Sequence, residues 1–261
     1  MLVSIITPSF NQAPFLEETI QSVLTQDYEH IEYIIVDGGS SDGSVEIVKR
    51  YDSELAWWVS ETDQGQTDAV NKGFERASGD ILAWINSDDS YLPGTVSDAV
   101  GFLKDHPEVG MVYGDANFID REGNVIGRFP SRQTDLQRLR RGYVHIPQQT
   151  AFFRADLWPE VGPLDPSFYF AMDYDLWVRL AKVTRLHYEP RLWANFRLHT
   201  DAKTLAADDQ CWPEMMRVHL REGGSYLSPL GMKAIARRLF YAWLPIDLRI
   251  KIRNKLTWLL R

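Results

Sequence analysis

The sequence predicts an α/β fold in which helices flank a mixed sheet, and three patterns support this prediction. Over roughly the first hundred residues, short apolar runs alternate with amphipathic runs, which is typical of parallel strands joined by right-handed helical crossovers. Between residues 109 and 129, two strand-like runs flank the turn sequence from Asp120 to Asn124, which predicts an antiparallel hairpin. The last part of the chain is basic and amphipathic, and we expect a helical appendage there.

Length and composition predict one main domain. The chain has 261 residues, 44% of them apolar, which suffices for one large core. We expect a catalytic domain over residues 1–225 and a helical segment over residues 226–261. Cys211 is the only cysteine, which excludes an intramolecular disulfide and favours a reducing compartment. No basic region precedes the first apolar strand and no apolar run is long enough to span a bilayer, so we expect a cytoplasmic protein.

The charge is acidic overall but basic at the C-terminus. The formal net charge of -8 disfavours nucleic acid as a partner. From Leu230 to Arg261, eight basic residues stand against one acid, Asp247. A basic amphipathic segment with tryptophans is typical of contact with a membrane surface, here the inner face of the cell membrane. Packing on the catalytic domain or in an oligomer is the equal alternative.

The first two strand and helix units place polar loops after their strands. Strands are predicted over residues 2–7 and 31–36, and the helices that follow them over residues 14–26 and 44–51. The loop from Asp37 to Gly43 contains three glycines but does not match G-x-G-x-x-G, which disfavours a dinucleotide fingerprint. Asp37 stands at a strand end and can accept hydrogen bonds from a base or ribose. Asp42 is expected to stabilise the turn.

The third unit joins a strand at residues 55–60 to a helix that ends near Ser78. Apolar residues at helical spacing form the buried stripe of this helix: Ala69, Val70, Phe74 and Ala77. Lys72 lies off that stripe and beside the expected strand-end cleft. A contact with a phosphate and a solvated surface lysine are equal alternatives for it.

The fourth strand ends in two carboxylates. The apolar run from Ile81 leads directly into Asn86, Ser87, Asp88 and Asp89, and such a run predicts a strand buried on both faces. Ligands bind at the carboxyl ends of strands in open α/β sheets. Paired carboxylates there can hold a divalent cation. The alternative is that one aspartate caps the helix expected near Pro93.

The second half of the chain is less regular. After the hairpin at residues 109–119 and 125–129, we expect helices and strands in alternation: a helix at 132–141, a strand at 150–153, a helix at 154–161, a helix from Met172, an edge strand at 193–198 and a helix at 206–221. The helix from Met172 has Asp173 and Asp175 in its first turn. One acid suffices for capping, so we expect Asp173, nearer the loop, to point into a cleft.

Seven segments in this order resemble family 2 glycosyltransferases of GT-A architecture, over residues 3–204. They are TPSFNQ (7–12) with SVLTQ (22–26), VDGGSSDGS (36–44), ETDQGQTDAVNKG (61–73), INSDD (85–89), PQQTAFFR (147–154), MDYDLWVRL (172–180) and FRLH (196–199). The resemblance implies an inverting enzyme that moves a sugar from a nucleoside-diphosphate sugar to an acceptor hydroxyl. We expect its acceptor to be a glycan or a lipid-linked glycan, in surface polysaccharide or glycolipid assembly.

The resemblance also implies roles for individual residues. Asp88 would bind Mg²⁺ or Mn²⁺ on the donor diphosphate, His199 would approach the same metal or diphosphate, and Asp173 would be the catalytic base. Without the resemblance, a satisfied half-buried histidine is the simpler interpretation of His199. The nucleotide-sugar contacts that we expect are Thr7, Pro8, Ser9, Asp37, Asp63, Lys72, Asn86, Ser87 and Asp88.

Two departures from the family pattern affect the predicted chemistry. Asn86 stands where the family often has Asp, and Met172 where many members have Glu. A catalytically silent module that binds a nucleotide sugar is therefore the alternative function. A nucleotidyltransferase is disfavoured because the loop from Pro8 to Gln12 lacks glycines and basic residues, and a processive synthase because no Q-x-x-R-W segment is present.

Overall fold

The computed structural model describes residues 1–199 and 208–236, in which a nine-stranded sheet carries helices on both faces. The strands are β1 (Val3–Ser9), β2 (Ile31–Asp37), β3 (Trp57–Ser60), β4 (Ile81–Trp84), β5 (Ser90–Tyr91), β6 (Val109–Ile119), β7 (Val125–Arg128), β8 (Phe152–Arg154) and β9 (Arg185–Arg197). The helices are α1 (Ala13–Leu24), α2 (Ser44–Arg50), α3 (Gln66–Arg76), α4 (Thr95–Asp105), α5 (Leu136–Arg140), α6 (Trp158–Val161), α7 (Met172–Val183), α8 (Asp208–Arg221) and α9 (Pro229–Ala236).

The sheet is parallel in its first half and mixed in its second, as predicted. Its order is β3-β2-β1-β4-β8-β6-β9-β5, with β7 paired to β6 outside this path. β1 pairs in parallel with β2 and β4, and β2 with β3. β8 is antiparallel to β4 and β6, whereas β9 runs parallel to β6. The first four strands are therefore parallel, and their carboxyl ends lie at one edge of the sheet.

The central strand is buried on both faces. Leu82 and Trp84 belong to the core under α3 and α7, and Ile81 and Ala83 belong to the core under α1 and α4. The Trp84 ring stacks on Trp177 of α7, with centroids 5.6 Å apart. Because successive strand residues point to opposite faces, one apolar run serves both cores.

β1 is longer than the sequence predicted, since it continues through Pro8 to Ser9. Proline cannot donate a hydrogen bond to a neighbouring strand and is tolerated only where no donor is needed. The pairing of β1 with β4 ends at Ile6, so one side of the strand is open at Pro8. The predicted nucleoside residues from Thr7 to Ser9 consequently lie within a strand rather than in a loop.

Four other boundaries differ from the prediction. β9 is thirteen residues long and lies between β6 and β5, so the prediction of an edge strand at 193–198 was wrong. The two-residue strand β5, which forms that edge, was not predicted. Of the helix expected at 132–141, only α5 forms. Asp135 caps the start of α5, and Gly142 follows its end with a left-handed φ of 80°. The strand expected at 150–153 begins at Phe152, after a 3₁₀ turn. The helix expected at 154–161 is a 3₁₀ turn followed by the short α6.

The C-terminal segment is described only in part. α9 packs on the turn after α5, where Leu230 lies against Gly142. His219 of α8 connects the same elements, through Arg140 O at 2.7 Å and Ser228 Oγ at 2.7 Å. Residues 237–261, which carry most of the predicted basic segment, lie outside the described residues, and the division after residue 225 stays a prediction. Across residues 1–199 and 208–236, no helix has both the length and the apolar character needed to cross a bilayer.

Candidate functional site

The carboxylate at the end of β2 is tied into its own turn. Asp37 is fully buried and lies in register with Ser9 of β1 and Ser60 of β3. It accepts hydrogen bonds from the backbone of Gly39 (3.1 Å) and Ser40 (2.9 Å), and from the hydroxyls of Ser40 and Ser60. A carboxylate offers about four acceptor positions. Asp37 therefore shapes the loop after β2, and a ligand contact through its oxygens would have to replace one of these bonds.

Asp63 lies over the same strand end. A Cβ atom added to Gly38 would come within 2.9 Å of Asp63 Oδ2, so the missing side chain makes room for this carboxylate. Asp63 Oδ1 accepts from Gly65 N at 2.8 Å. Burial raises the pKa of Asp63, and the nearby charge of Asp68 adds to that effect. A carboxylate with an elevated pKa beside a strand end is typical of a binding site.

The nucleoside residues predicted on β1 lie in the same area. Thr7 Oγ1 is 3.0 Å from the hydroxyl of Tyr33 and is buried. Ser9 Oγ is also buried and has no hydrogen-bond partner in the part of the chain that the structure describes. A buried hydroxyl without a partner costs free energy unless a ligand or water supplies one. Ser9 is therefore the β1 side chain that is best placed to receive a polar group.

Lys72 is engaged by two carboxylates. Its ammonium lies 3.0 Å from Glu61 and 3.4 Å from Asp68. The hydrogen bond with Glu61 raises the pKa of Lys72, and the Asp68 charge supports this. A phosphate contact would have to compete with both acids. The phosphate role of Lys72 stays a prediction.

Of the two adjacent aspartates after β4, Asp89 belongs to the scaffold. It is buried, accepts from Arg197 N at 2.9 Å and from Asn86 Nδ2 at 3.3 Å. Burial and the adjacent Asp88 raise its pKa well above the usual range. Neither aspartate caps α4, which begins after Gly94 with a left-handed φ of 83°. The helix-cap alternative was therefore wrong.

Asp88 and His199 come together across 111 positions of sequence. His199 Nε2 lies 3.2 Å from Asp88 Oδ2, and the imidazole is almost fully buried against the ring of Phe15. The Asp88 side chain keeps 17% of its surface exposed. These are the two predicted metal residues, and the fold pairs a carboxylate oxygen with an imidazole nitrogen at the open edge of the sheet.

The donor set suits a cation that also binds the substrate. Within residues 1–199 and 208–236, no group of three or more His, Cys, Asp or Glu side chains is arranged to hold a metal ion. Mg²⁺ is usually held by one or two carboxylates together with substrate phosphates, and carboxylate ligands suit Mn²⁺ as well. The Asp88 carboxylate therefore fits either ion provided that a diphosphate supplies the remaining oxygens, whereas the His199 imidazole suits a transition metal rather than Mg²⁺.

The two acids in the first turn of α7, Asp173 and Asp175, have different partners. Asp175 is buried and pairs with Arg179 (2.8 Å) and with Arg221 of α8. Asp173 Oδ1 accepts from Tyr174 N at 2.6 Å. The N-cap residue Ala171 makes no side-chain cap. Asp175 does not cap the helix, because it is committed to ion pairs, and the acid that accepts from a first-turn N-H is Asp173.

The first turn of α3 connects the Asp88 side of the site to the Asp173 side. Gln66 Nε2 donates to Asn86 Oδ1 at 2.6 Å. The adjacent Thr67 Oγ1 lies 3.0 Å from Phe168 O and 2.9 Å from Met172 Sδ. Met172 fills the place where the family pattern often has Glu. The loop before α7 and the loop after β4 consequently both contact the first turn of α3.

Comparison with known families agrees with this arrangement. Residues 4–172 match the family described as Glycosyl transferase family 2. The chain belongs to this family. The segment includes all the predicted site residues except Asp173 and His199, which follow it.

The curated relatives that this chain resembles are described as uncharacterized glycosyltransferases. An uncharacterized glycosyltransferase of Mycobacterium tuberculosis is 36% identical over 186 residues, which cover 69% of each chain. One of Rickettsia typhi is 28% identical over 211 residues, 78% of this chain and 65% of the relative. One of Rickettsia conorii is 29% identical over 212 residues, 77% of this chain and 34% of the relative. The chain thus spans about two thirds of some relatives and about a third of others.

Solved structures show the same fold. S. aureus TarS residues 1–349 in complex with UDP-GlcNAc aligns with a TM-score of 0.65 at 19% identity, covering 85% of this chain and 66% of that 1–349 chain. A mannosyltransferase, PcManGT from Pyrobaculum calidifontis, in complex with GDP-Man and Mn²⁺, aligns at 0.61 and 20% identity, covering 98% of this chain and 80% of that one. The predicted GT-A fold is confirmed.

Arg197 is a residue of this glycosyltransferase that the sequence analysis did not assign. Its guanidinium is 2% exposed and donates to Asp88 O (3.0 Å) and to Arg121 O (2.9 Å), and it pairs with Glu18 of α1. It therefore fixes the backbone of the Asp88 loop against two other elements. The signal was the Arg in Phe196-Arg197-Leu198-His199, two positions before the predicted His199.

Glu214 of α8 was also missed. Its carboxylate accepts from three consecutive backbone N-H groups, Tyr169 (3.0 Å), Phe170 (2.7 Å) and Ala171 (3.0 Å). It fixes from outside the helix the backbone N-H groups of the loop that precedes α7. No local sequence signal points to Glu214, because it lies more than forty positions after the groups that it binds.

Proposed function

We propose that this chain transfers a sugar from a nucleoside-diphosphate sugar to an acceptor hydroxyl with inversion at the anomeric carbon. The observation that carries the proposal is the Asp88 and His199 pair, joined through the first turn of α3 to the loop that begins α7 and holds Asp173. A leaving-group site and a base site on one edge of a GT-A sheet are what this reaction requires.

The leaving side needs positive charge. When the glycosidic bond to the diphosphate breaks, negative charge grows on the phosphate oxygens, and the chain as a whole carries a net charge of -8. A divalent cation, when bound, supplies charge stabilisation and orients the diphosphate. Asp88 and His199 would hold it. Arg197 contributes by fixing the Asp88 backbone, since its side chain contacts that carbonyl.

The acceptor side needs a base. A sugar or lipid hydroxyl is a weak nucleophile, and a positioned carboxylate that removes its proton accelerates attack about 10²- to 10⁴-fold. Asp173 takes that role in our proposal. The acceptor oxygen then attacks the anomeric carbon opposite the diphosphate. A single displacement of this kind inverts the configuration at the anomeric carbon.

The nucleoside side combines the ends of β1, β2 and β3. We propose that Asp63 and Ser9 present the hydrogen-bonding groups and that Asp37 shapes the pocket through its turn. The support is that Asp37 already makes four hydrogen bonds, whereas Ser9 Oγ is buried without one in the described residues. Contacts by the other predicted residues stay proposals: Thr7, Pro8, Lys72, Asn86 and Ser87.

Donor turnover tests the proposal. The experiment offers UDP-, GDP- and TDP-sugars with Mg²⁺ or Mn²⁺ and measures thermal stabilisation together with slow donor hydrolysis in the absence of acceptor. A donor that binds only the folded state raises the melting temperature. We expect one donor class to stabilise the protein, and Asp88→Ala or chelation to remove the effect. Stabilisation that survives both changes would contradict the metal role.

A silent sugar-nucleotide-binding module is the second candidate. Asn86 and Met172 favour it, because they remove two charges that the family pattern often carries. Donor hydrolysis separates the two functions. A module without catalysis would show donor stabilisation and no release of nucleoside diphosphate.

We also propose that the surface around α9 contacts anionic lipid and so brings the protein to a lipid-linked acceptor at the inner face of the cell membrane. Leu227, Met232 and Ile235 are exposed large apolar side chains on and beside α9. Burial lowers the pKa of His145 in the neighbouring loop, and a cluster of cations lowers it further: Arg132, Arg138 and Lys233. Apolar side chains beside clustered cations are typical of surfaces that bind anionic membranes.

Vesicle binding tests this contact. Wild-type protein is expected to bind phosphatidylcholine vesicles that contain phosphatidylglycerol and to dissociate as salt is raised. The triple change Leu227→Ser, Met232→Ser and Ile235→Ser should abolish binding. The matched control is Val125→Ser with Ile126→Ser, since these side chains are equally exposed on the hairpin. Equal loss in both variants, or self-association by light scattering in place of vesicle binding, would contradict lipid contact.

A further inference from the structure

We propose that Tyr169 and Phe170 form a stacking platform for the pyranose ring of the acceptor. This inference rests on the proposed function, because it names the class of acceptor as a sugar and gives it a place beside Asp173. The two residues lie immediately before α7, four and three positions ahead of that carboxylate.

The two rings form an aromatic surface that reaches solvent. Tyr169 is 50% exposed, and its ring meets that of Phe170 edge to face, with centroids 4.8 Å apart at 77°. The preceding Phe168 points the other way into the core. The chain therefore buries Phe168 and leaves the next aromatic residue, Tyr169, exposed to solvent.

The backbone under the rings is fixed on two sides. Glu214 accepts from the N-H groups of Tyr169 and Phe170 and also of Ala171. Arg217, one turn later on α8, lies 3.6 Å above the Phe168 ring. A loop fixed in this way loses little conformational entropy when a ligand binds.

The location matches the place that an acceptor must occupy. Phe168 O lies 3.0 Å from Thr67 Oγ1, and the adjacent Gln66 contacts Asn86 of the Asp88 loop. The segment with the two rings thus adjoins both the leaving-group side and the base. An acceptor hydroxyl within reach of Asp173 requires the rest of its sugar within a few ångströms of the start of α7.

The chemistry of the platform selects a sugar over a plain alcohol. One face of a pyranose consists largely of C-H groups, while its hydroxyls lie around the rim. Stacking that face on an aromatic ring removes apolar surface from water and leaves the rim hydroxyls available. The ring plane fixes the orientation of the sugar, so that one hydroxyl is directed at the base.

Ligand-observed saturation-transfer NMR tests the platform without turnover. The probes are the methyl pyranosides of glucose, galactose, mannose and N-acetylglucosamine, each with UDP or GDP present. We expect at least one to bind wild-type protein, and Tyr169→Ala to reduce its affinity about tenfold, as for loss of one good aromatic contact. Tyr226→Ala, a tyrosine of similar exposure on the approach to α9, is the matched control and should bind as wild type does.

Two further variants define the origin of the effect. Tyr169→Phe keeps the ring and should retain most of the affinity, whereas Phe170→Ala should weaken binding because the edge-to-face partner is lost. Absence of pyranoside binding to wild-type protein, or equal affinity in Tyr169→Ala and Tyr226→Ala, would overturn the platform. These outcomes are distinct from failure of the proposed function, which is measured separately as absence of donor hydrolysis.

Discussion

The turn after β2 and the loop before α7 both border the candidate site, but they are held by different kinds of contact. In the turn, Asp37 and Asp42 accept hydrogen bonds from residues two or three positions away, such as Ser40 and Ser44. In the loop, the N-H groups are fixed by Glu214, 44 positions after Phe170. The donor side is therefore built largely from local turns, whereas the side with the base depends on tertiary contacts.

The turn after β2 and the loop before α7 should respond differently to mutations elsewhere in the fold. The turn after β2 retains much of its shape when distant packing is weakened, because most of the hydrogen bonds to Asp37 and Asp42 come from residues two or three positions away. Ser60 and Ala13 are their distant partners. The loop before α7 does not retain its shape in this way, because α8 supplies its acceptors and part of the ion pairing of α7. We expect changes on α8 to lower transfer without touching a substrate.

The largest expected effect is on chemistry at the start of α7. Asp173→Asn should lower transfer about 10²- to 10⁴-fold, because the amide cannot accept the acceptor proton. Donor binding, measured as thermal stabilisation by the nucleotide sugar, should be retained. Turnover near the wild-type rate would remove Asp173 from the base role.

Asp175, two positions after Asp173, should affect stability more than catalysis. Asp175→Asn should lower the free energy of unfolding by about 2–3 kcal/mol, since it leaves Arg179 and Arg221 without their buried partner. The estimate is at the low end for a buried pair because both arginines are partly exposed. Urea denaturation measures this change. Transfer per folded molecule should fall far less than in Asp173→Asn, and a comparable loss would contradict the division of roles.

Glu214 tests the tertiary support of the loop directly. Glu214→Ala should cost about 2 kcal/mol of stability, because three backbone N-H groups lose a charged acceptor. Glu108→Ala is the control, since its ion pairs with His106 and Arg185 are exposed and such pairs are worth about 0–1 kcal/mol. Equal small losses in both variants would show that the loop before α7 does not depend on α8.

The smallest expected effect is at the local turn. Burial opposes ionisation of Asp42, but hydrogen bonds from Ser44 and Ala13 outweigh it and lower its pKa. The ionised carboxylate therefore stabilises the folded state above its ordinary pKa near 3.8, and this contribution is lost as pH falls through the folded value. Asp42→Asn should cost about 0.5 kcal/mol at neutral pH because the group is exposed.

The pH dependence provides the check on Asp42. Urea denaturation of both proteins from neutral pH to well below 3.8 should show the difference shrinking as the wild-type carboxylate protonates. A difference that is constant with pH would mean that charge does not contribute. A larger loss than in Glu214→Ala would reverse the order of local and tertiary support.

Much of the fold followed from patterns within short stretches. The alternation of strands and helices, the hairpin at Asp120 to Asn124 and the burial of β4 on both faces are set by side-chain period and turn chemistry. β5 and the true length of β9 were not predictable. A two-residue strand has no period, and the register shifts of β9 interrupt its alternation.

The sequence by itself determined where acids occur, after β2, after β4 and at the start of α7, because strand ends and helix starts are local features. Only the tertiary structure decided which acids belong to the scaffold. Asp89 is bound by the backbone of Arg197 and Asp175 by the side chain of Arg221. Those partners lie far along the chain, and burial makes their contacts obligatory, since an unpaired buried charge is too costly to retain.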